Sequence, residues 1–87
     1  MENIDVNFAR RIIKICSVET KKFRLTKQTK LSKIGVDSIT FVKILFAIEE
    51  SEGINFEDNF PLLSDCETIY DLIKQIQIYK SESTRKE

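Results

Sequence analysis

The 87-residue chain contains no histidine and no tryptophan, two cysteines, two glycines and a single proline. Each shortage removes a chemistry. Without histidine there is no Ser-His triad and no His-ligated metal. Cys16 and Cys66 alone are too few for a cysteine-only zinc site. With only Gly35 and Gly53, no glycine-rich phosphate loop can be assembled. No apolar run reaches the 18 or so residues of a membrane span. The start, Met1-Glu2-Asn3-Ile4-Asp5, lacks the basic region followed by an apolar stretch that marks a secretory signal. These readings predict a non-enzymatic cytoplasmic protein. With 41% apolar and 32% charged residues, the composition is that of one small globular domain.

Charge is balanced in total but not along the chain. Residues 10–33 carry nine Lys or Arg against Glu19, a local charge of +8; residues 37–71 carry nine Asp or Glu against Lys43, a local charge of −8. The halves can neutralise one another on folding, or the field can steer partners. Recognition of nucleic acid through residues 10–33 is disfavoured, because no helix-turn-helix spacing accompanies the basic residues and the isoelectric point is about 6.3.

Apolar periodicity predicts an all-α fold. Ile4, Phe8, Ile12, Ile15 and Cys16 follow one face of a first helix over residues 4–16, with Asn3 or Asp5 as cap. Residues 17–36 show no sustained period and read as a long connection, with Phe23, Leu25, Leu31 and Ile34 pinning it to the core. A second helix over residues 38–52 ends at Gly53. It has two apolar stripes where a surface helix needs one. Phe41, Ile44, Leu45 and Ile48 form the first; Ile39, Val42 and Phe46, flanked by Lys43 and Glu50, form the second and are expected to face a partner. A short helix is expected over residues 57–64, capped by Asp58 or Asn59 with Pro61 in its first turn. Thr68-Ile69-Tyr70-Asp71 resembles a capping box opening the last helix, whose inward stripe is Ile69, Leu72, Ile73 and Ile76. Cys16 and Cys66 read as buried thiols. Residues 1–80 make the domain, and residues 81–87 are expected to be a frayed polar tail.

The informative segment is Leu31-Ser32-Lys33-Ile34-Gly35-Val36-Asp37-Ser38-Ile39. A glycine turn delivers Asp-Ser to a helix start. Taken alone, such a pair is a helix cap. The same place also suits an attached phosphate, because the free amides and dipole of a helix N-terminus favour an anion. Ser38 has no base to activate it, since Asp37 is a poor general base near neutral pH. It reads as an acceptor of modification, not as a nucleophile.

Ile34-Gly35-Val36-Asp37-Ser38-Ile39 resembles the signature of the acyl carrier protein family, in which a serine bears 4′-phosphopantetheine. The likeness continues through Leu31 and residues 41–50, with their closing acids Glu49 and Glu50. It extends to Gly53-Ile54-Asn55-Phe56 and Thr68-Ile69-Tyr70-Asp71-Leu72-Ile73, covering roughly residues 4–79. The resemblance implies a four-helix bundle of three main helices and a short third one. It implies an arm donated by coenzyme A to Ser38, with Asp37 as the neighbouring acid. The arm's thiol would hold an acyl or aminoacyl group as a thioester. The implied partners are a phosphopantetheinyl transferase, loading enzymes, and synthases or transferases of fatty-acid, polyketide or related biosynthesis. They would meet a monomeric carrier on Ile39, Val42, Lys43, Phe46 and Glu50. Three departures from the familiar acidic carriers point to a dedicated partner set: zero net charge, Lys43 one turn after the serine, and the basic residues 10–33. The alternative is a helical adaptor in which Asp37-Ser38 serves only as a cap.

Overall fold

The computed structural model describes residues 5–56 and 60–85, with side chains up to Lys80. The fold is all-α. Three α-helices, α1 (Val6–Thr20), α2 (Ser38–Glu52) and α3 (Ile69–Arg85), are joined by connections that contain two short 3₁₀ turns, Leu31–Ile34 and Leu63–Asp65. Among the described residues there is no strand, only an isolated bridge between Lys30 and Thr68.

Asp5 caps α1, its carboxylate accepting from the Asn7 amide at 2.9 Å. The alternative cap Asn3, and Ile4, lie outside the described residues. Phe8, Ala9, Ile12 and Cys16 are buried, while Arg10, Arg11 and Lys14 remain exposed. The helix runs four residues beyond the expected stripe because propagation needs only backbone bonds once a nucleus exists. It stops at Lys21, whose left-handed backbone lets its amide reach the Ser17 carbonyl at 2.8 Å.

α2 matches its expected span, with Gly53 at φ 66° closing it as its amide donates a hydrogen bond to the Glu49 carbonyl. A residue with a Cβ is strained there, which is why glycine ends the helix. Phe41, Ile44, Leu45 and Ile48 are all buried. They meet Ile69, Leu72, Ile73 and Ile76 of α3 in one core, each of those four fully buried, together with Phe56. Cys16 and Cys66 are buried free thiols, as expected. Burial pushes the Cys16 thiol up to about 12 and the Cys66 thiol up to about 11.

Two expectations for the connections between helices are corrected. Phe23 does not pin the connection: it is 81% exposed. Lys21 and Arg24 on either side of it adopt left-handed backbone, which swings Phe23 outward. Leu25, Leu31 and Ile34 do anchor the segment, and Val36 joins them. The short helix over residues 57–64 is likewise not seen where described: Phe60–Leu62 is irregular and only Leu63–Asp65 forms a 3₁₀ turn. Proline disfavours helical backbone at the preceding residue, here Phe60, and contributes no amide of its own. Its expected caps, Asp58 and Asn59, lie outside the described residues. The described residues therefore hold three α-helices and not four. α3 continues to Arg85, through most of the segment 81–87 expected as a tail.

Among the described residues, ion pairs join the basic and acidic halves at two points. Glu52, with a side chain only 4% exposed, accepts from Arg11 through Nε at 2.6 Å and a second guanidinium nitrogen at 3.1 Å, and from Lys80 at 3.2 Å. Arg11 and Lys80 also stand over the Phe8 ring, so one carboxylate ties α1, α2 and α3 together. Lys30 meets Glu67 at 3.5 Å on the surface.

Candidate functional site at the start of the second helix

The turn before α2 is held from below. Leu31 is buried and its carbonyl accepts from the Val36 amide at 3.1 Å. Gly35 takes φ 77°, which reverses the chain between the buried side chains of Ile34 and Val36. The apolar pair faces inward, so the next two residues, Asp37 and Ser38, are delivered to the surface at the helix start.

Asp37 is the N-cap. Its carboxylate accepts from the Thr40 amide at 2.8 Å, and its carbonyl accepts from the Phe41 amide at 2.8 Å. The Thr40 amide, then the Thr40 hydroxyl, holds the Asp37 carboxyl below the usual aspartate range. A carboxylate made less basic in this way is a still poorer proton acceptor near neutral pH. Ser38 is the first residue of α2, exposed, and its hydroxyl makes no hydrogen bond among the described residues. Capping is thus assigned to Asp37, which leaves the serine oxygen accessible beside the positive end of the helix dipole.

Five further residues of the predicted site lie on the outer side of α2. Ile39 is 68% exposed, Phe46 55% and Val42 43%, with Lys43 exposed among them. Glu50, one turn beyond Phe46, is exposed as well. The spacing puts this outer stripe opposite Phe41, Ile44, Leu45 and Ile48. The two-stripe pattern therefore divides into one buried face and one solvent-facing face.

Sequence reasoning missed the far edge of this surface. Phe46 meets Phe60 edge-to-face with centroids 6.2 Å apart, and Phe60 continues to the buried Phe56 at 5.5 Å. Leu62 is 59% exposed on the same segment. The signal was available in Phe60-Pro61-Leu62-Leu63, an apolar cluster interrupted by a proline that prevents it from burying all its side chains on one helix face.

Neither thiol is reactive in this setting, since the thiolate is the nucleophile and burial disfavours it. Among the described residues no group of three or more Cys, Asp or Glu is arranged to hold a metal, and no helix is long and apolar enough to cross a membrane. No family model, no curated protein and no solved structure matches this chain.

Proposed function

We propose that this chain is a carrier of the phosphopantetheine-binding, acyl-carrier type, and that Ser38 is the attachment point of the arm. The observation that carries the reading is the division of labour at the start of α2: Asp37 makes the cap and Ser38 presents an uncommitted hydroxyl. In this reading the Phe60–Asp65 segment, with its 3₁₀ turn, stands where the family has a short third helix.

These residues fit the group. A phosphodiester on Ser38 carries its negative charge next to the first-turn amides of α2, where an anion is stabilised. Asp37 holds the end of the helix in shape while a transferase works on its neighbour. The bound arm would supply a terminal thiol that holds an acyl or aminoacyl group as a thioester. Ile39, Val42 and Phe46 give partner enzymes an apolar face beside the arm. Lys43 and Glu50 set the polarity that those partners must match, and a cation at Lys43 repels the basic surfaces that read acidic carriers.

The test is modification with coenzyme A and a broad-specificity phosphopantetheinyl transferase, read by intact mass. The wild type gains one arm and Ser38→Ala gains none. An alanine variant that is still labelled, or a wild type that never is, rejects the reading. The second reading, a helical adaptor, draws on the Asp37–Thr40 hydrogen bond, which accounts for the Asp-Ser pair by capping alone; persistent absence of an adduct on protein from its native host favours it.

A further inference from the structure

The loop that follows α1 has properties the carrier reading does not require. Its sequence is Lys21-Lys22-Phe23-Arg24, and Phe23 is 81% exposed, the highest value among the large apolar side chains that stand exposed in the described residues. The only two non-glycine residues with positive φ among the described residues, Lys21 at 59° and Arg24 at 64°, bracket it. Such backbone is unfavourable for side chains of this size. The Ser17 hydroxyl donates to the Lys22 carbonyl and fastens the loop against the last turn of α1. The chain thus holds an aromatic ring in water between three cations in a defined conformation, not in a slack tip.

The surroundings extend the same chemistry. Lys14, Val18 and Lys21 recur at helical spacing along one side of α1, and Val18 is 61% exposed. Arg10, Lys14, Lys21, Lys22 and Arg24 make no ion pair among the described residues, and Glu19 is the only acid from residue 6 to residue 36. Between α1 and α2 lies a groove of about 270 Å³ whose lining includes Arg11, Lys14, Ile15, Val18, Ala47 and the one acid Glu19.

We propose that this face is a peripheral docking surface for an anionic lipid bilayer, with Phe23 as the inserting side chain and the flanking cations reading the lipid phosphates. Clustered cations are attracted to an anionic leaflet, and one or a few apolar side chains carried on a basic element are buried at the headgroup boundary. A nucleic-acid strand is the competing anion. Binding of single strands uses platforms of several aromatics for stacking, whereas Phe23 is the sole aromatic residue between Phe8 and Phe41. The surface lies on α1 and its loop, so it is independent of Ser38.

Vesicles test this. Phosphatidylcholine containing about 30 mol% phosphatidylglycerol should co-sediment with the wild-type protein, and pure phosphatidylcholine should not. The triple variant K21A/K22A/R24A should bind roughly a hundredfold more weakly, and Phe23→Ala roughly tenfold more weakly. Because the chain has no tryptophan, Phe23→Trp supplies a lone indole whose emission should shift to the blue on anionic vesicles and stay unchanged on neutral ones. Ser38→Ala should bind vesicles as the wild type does, so a failed carrier reading leaves this result standing. Equal binding to both vesicle types, no binding to either, or unshifted indole emission on bound protein overturns the proposal. Tight binding of a polyuridylate strand that depends on Phe23, without vesicle binding, overturns it in favour of nucleic acid.

Discussion

α2 and α3 begin in opposite ways. At the start of α3, Thr68 and Asp71 form a reciprocal box: the Asp71 amide donates to the Thr68 hydroxyl at 3.2 Å, and the Asp71 carboxylate accepts from the Thr68 amide at 3.1 Å and the Glu67 amide at 2.9 Å. The connection before α2 then covers what remains. The Thr29 carbonyl takes the Ile69 amide at 3.0 Å, the Lys27 carbonyl takes the Tyr70 amide at 2.9 Å, and the Leu31 amide returns a bond to the Glu67 carbonyl. The start of α2 has one side-chain cap, from Asp37, and an exposed serine. Nearly all orphan donors of a helix must find partners when they are buried, whereas exposed ones can wait for water or a ligand. One helix start is sealed into the fold and the other is left open. The long first connection is what seals α3, which explains why so basic and aperiodic a segment keeps a fixed path.

The most direct way to break this comparison is to truncate the corresponding isoleucines. Ile69 opens α3 and is fully buried; Ile39 sits in the first turn of α2 and is 68% exposed. Ile69→Ala should destabilise the fold by about 2–5 kcal/mol, and Ile39→Ala by less than about 0.5 kcal/mol. Urea midpoints measure both. Similar losses would mean that the start of α2 is as closed as that of α3.

The caps come next in size. Asp71→Ala strands two amides and should cost about 1–2 kcal/mol. Asp37→Ala strands one exposed amide, which water can satisfy, and should lower Tm by less than Asp71→Ala does. A larger fall for Asp37→Ala would reverse the assignment of the two ends.

Acid titration probes the far end of α2. Arg11, by hydrogen bonding, and then Lys80 hold the Glu52 carboxyl below the usual glutamate range, although burial opposes them. A depressed folded pKa means that the unfolded chain binds the proton first. The stabilisation is therefore complete above the ordinary value of about 4.5 and is lost as pH falls through the folded pKa. Glu52→Gln should be less stable than the wild type near neutrality, and the gap between them should close in acid. A gap independent of pH would assign the role of Glu52 to shape and not to charge.

Much of this was legible in the sequence, for reasons that can be stated. α2 was readable to the residue because Asp37 and Gly53 punctuate it and its buried stripe repeats at helical spacing. The capping box of α3 was readable although Asp71 replaces the usual longer acid, since its carboxylate still reaches back to Thr68. Residues 17–20 were not, because Ser17, Val18, Glu19 and Thr20 break the apolar period while continuing the backbone ladder. Phe23 was misread because an aromatic in a connection ordinarily points inward. What turns it out is backbone handedness at Lys21 and Arg24, and neither residue type announces a positive φ. At the candidate site, the turn, the serine and the outer stripe of α2 were visible, but the division of roles between Asp37 and Ser38 was not. Either oxygen could have made the cap, and only the 2.8 Å bond from Thr40 to Asp37 decides it.

That division sets the smallest stability effect and the sharpest functional one. If Ser38 shared in capping, its loss would cost a cap, about 0.5–2 kcal/mol. With Asp37 holding the Thr40 amide, Ser38→Ala removes only an exposed hydroxyl and should change stability by less than about 0.5 kcal/mol. The variant should therefore melt with the wild type while gaining no phosphopantetheine, separating the attachment point from the scaffold that presents it. A clear fall in Tm for Ser38→Ala, together with little change for Asp37→Ala, would show that the serine oxygen is committed to the helix in solution and that the start of α2 is closed after all.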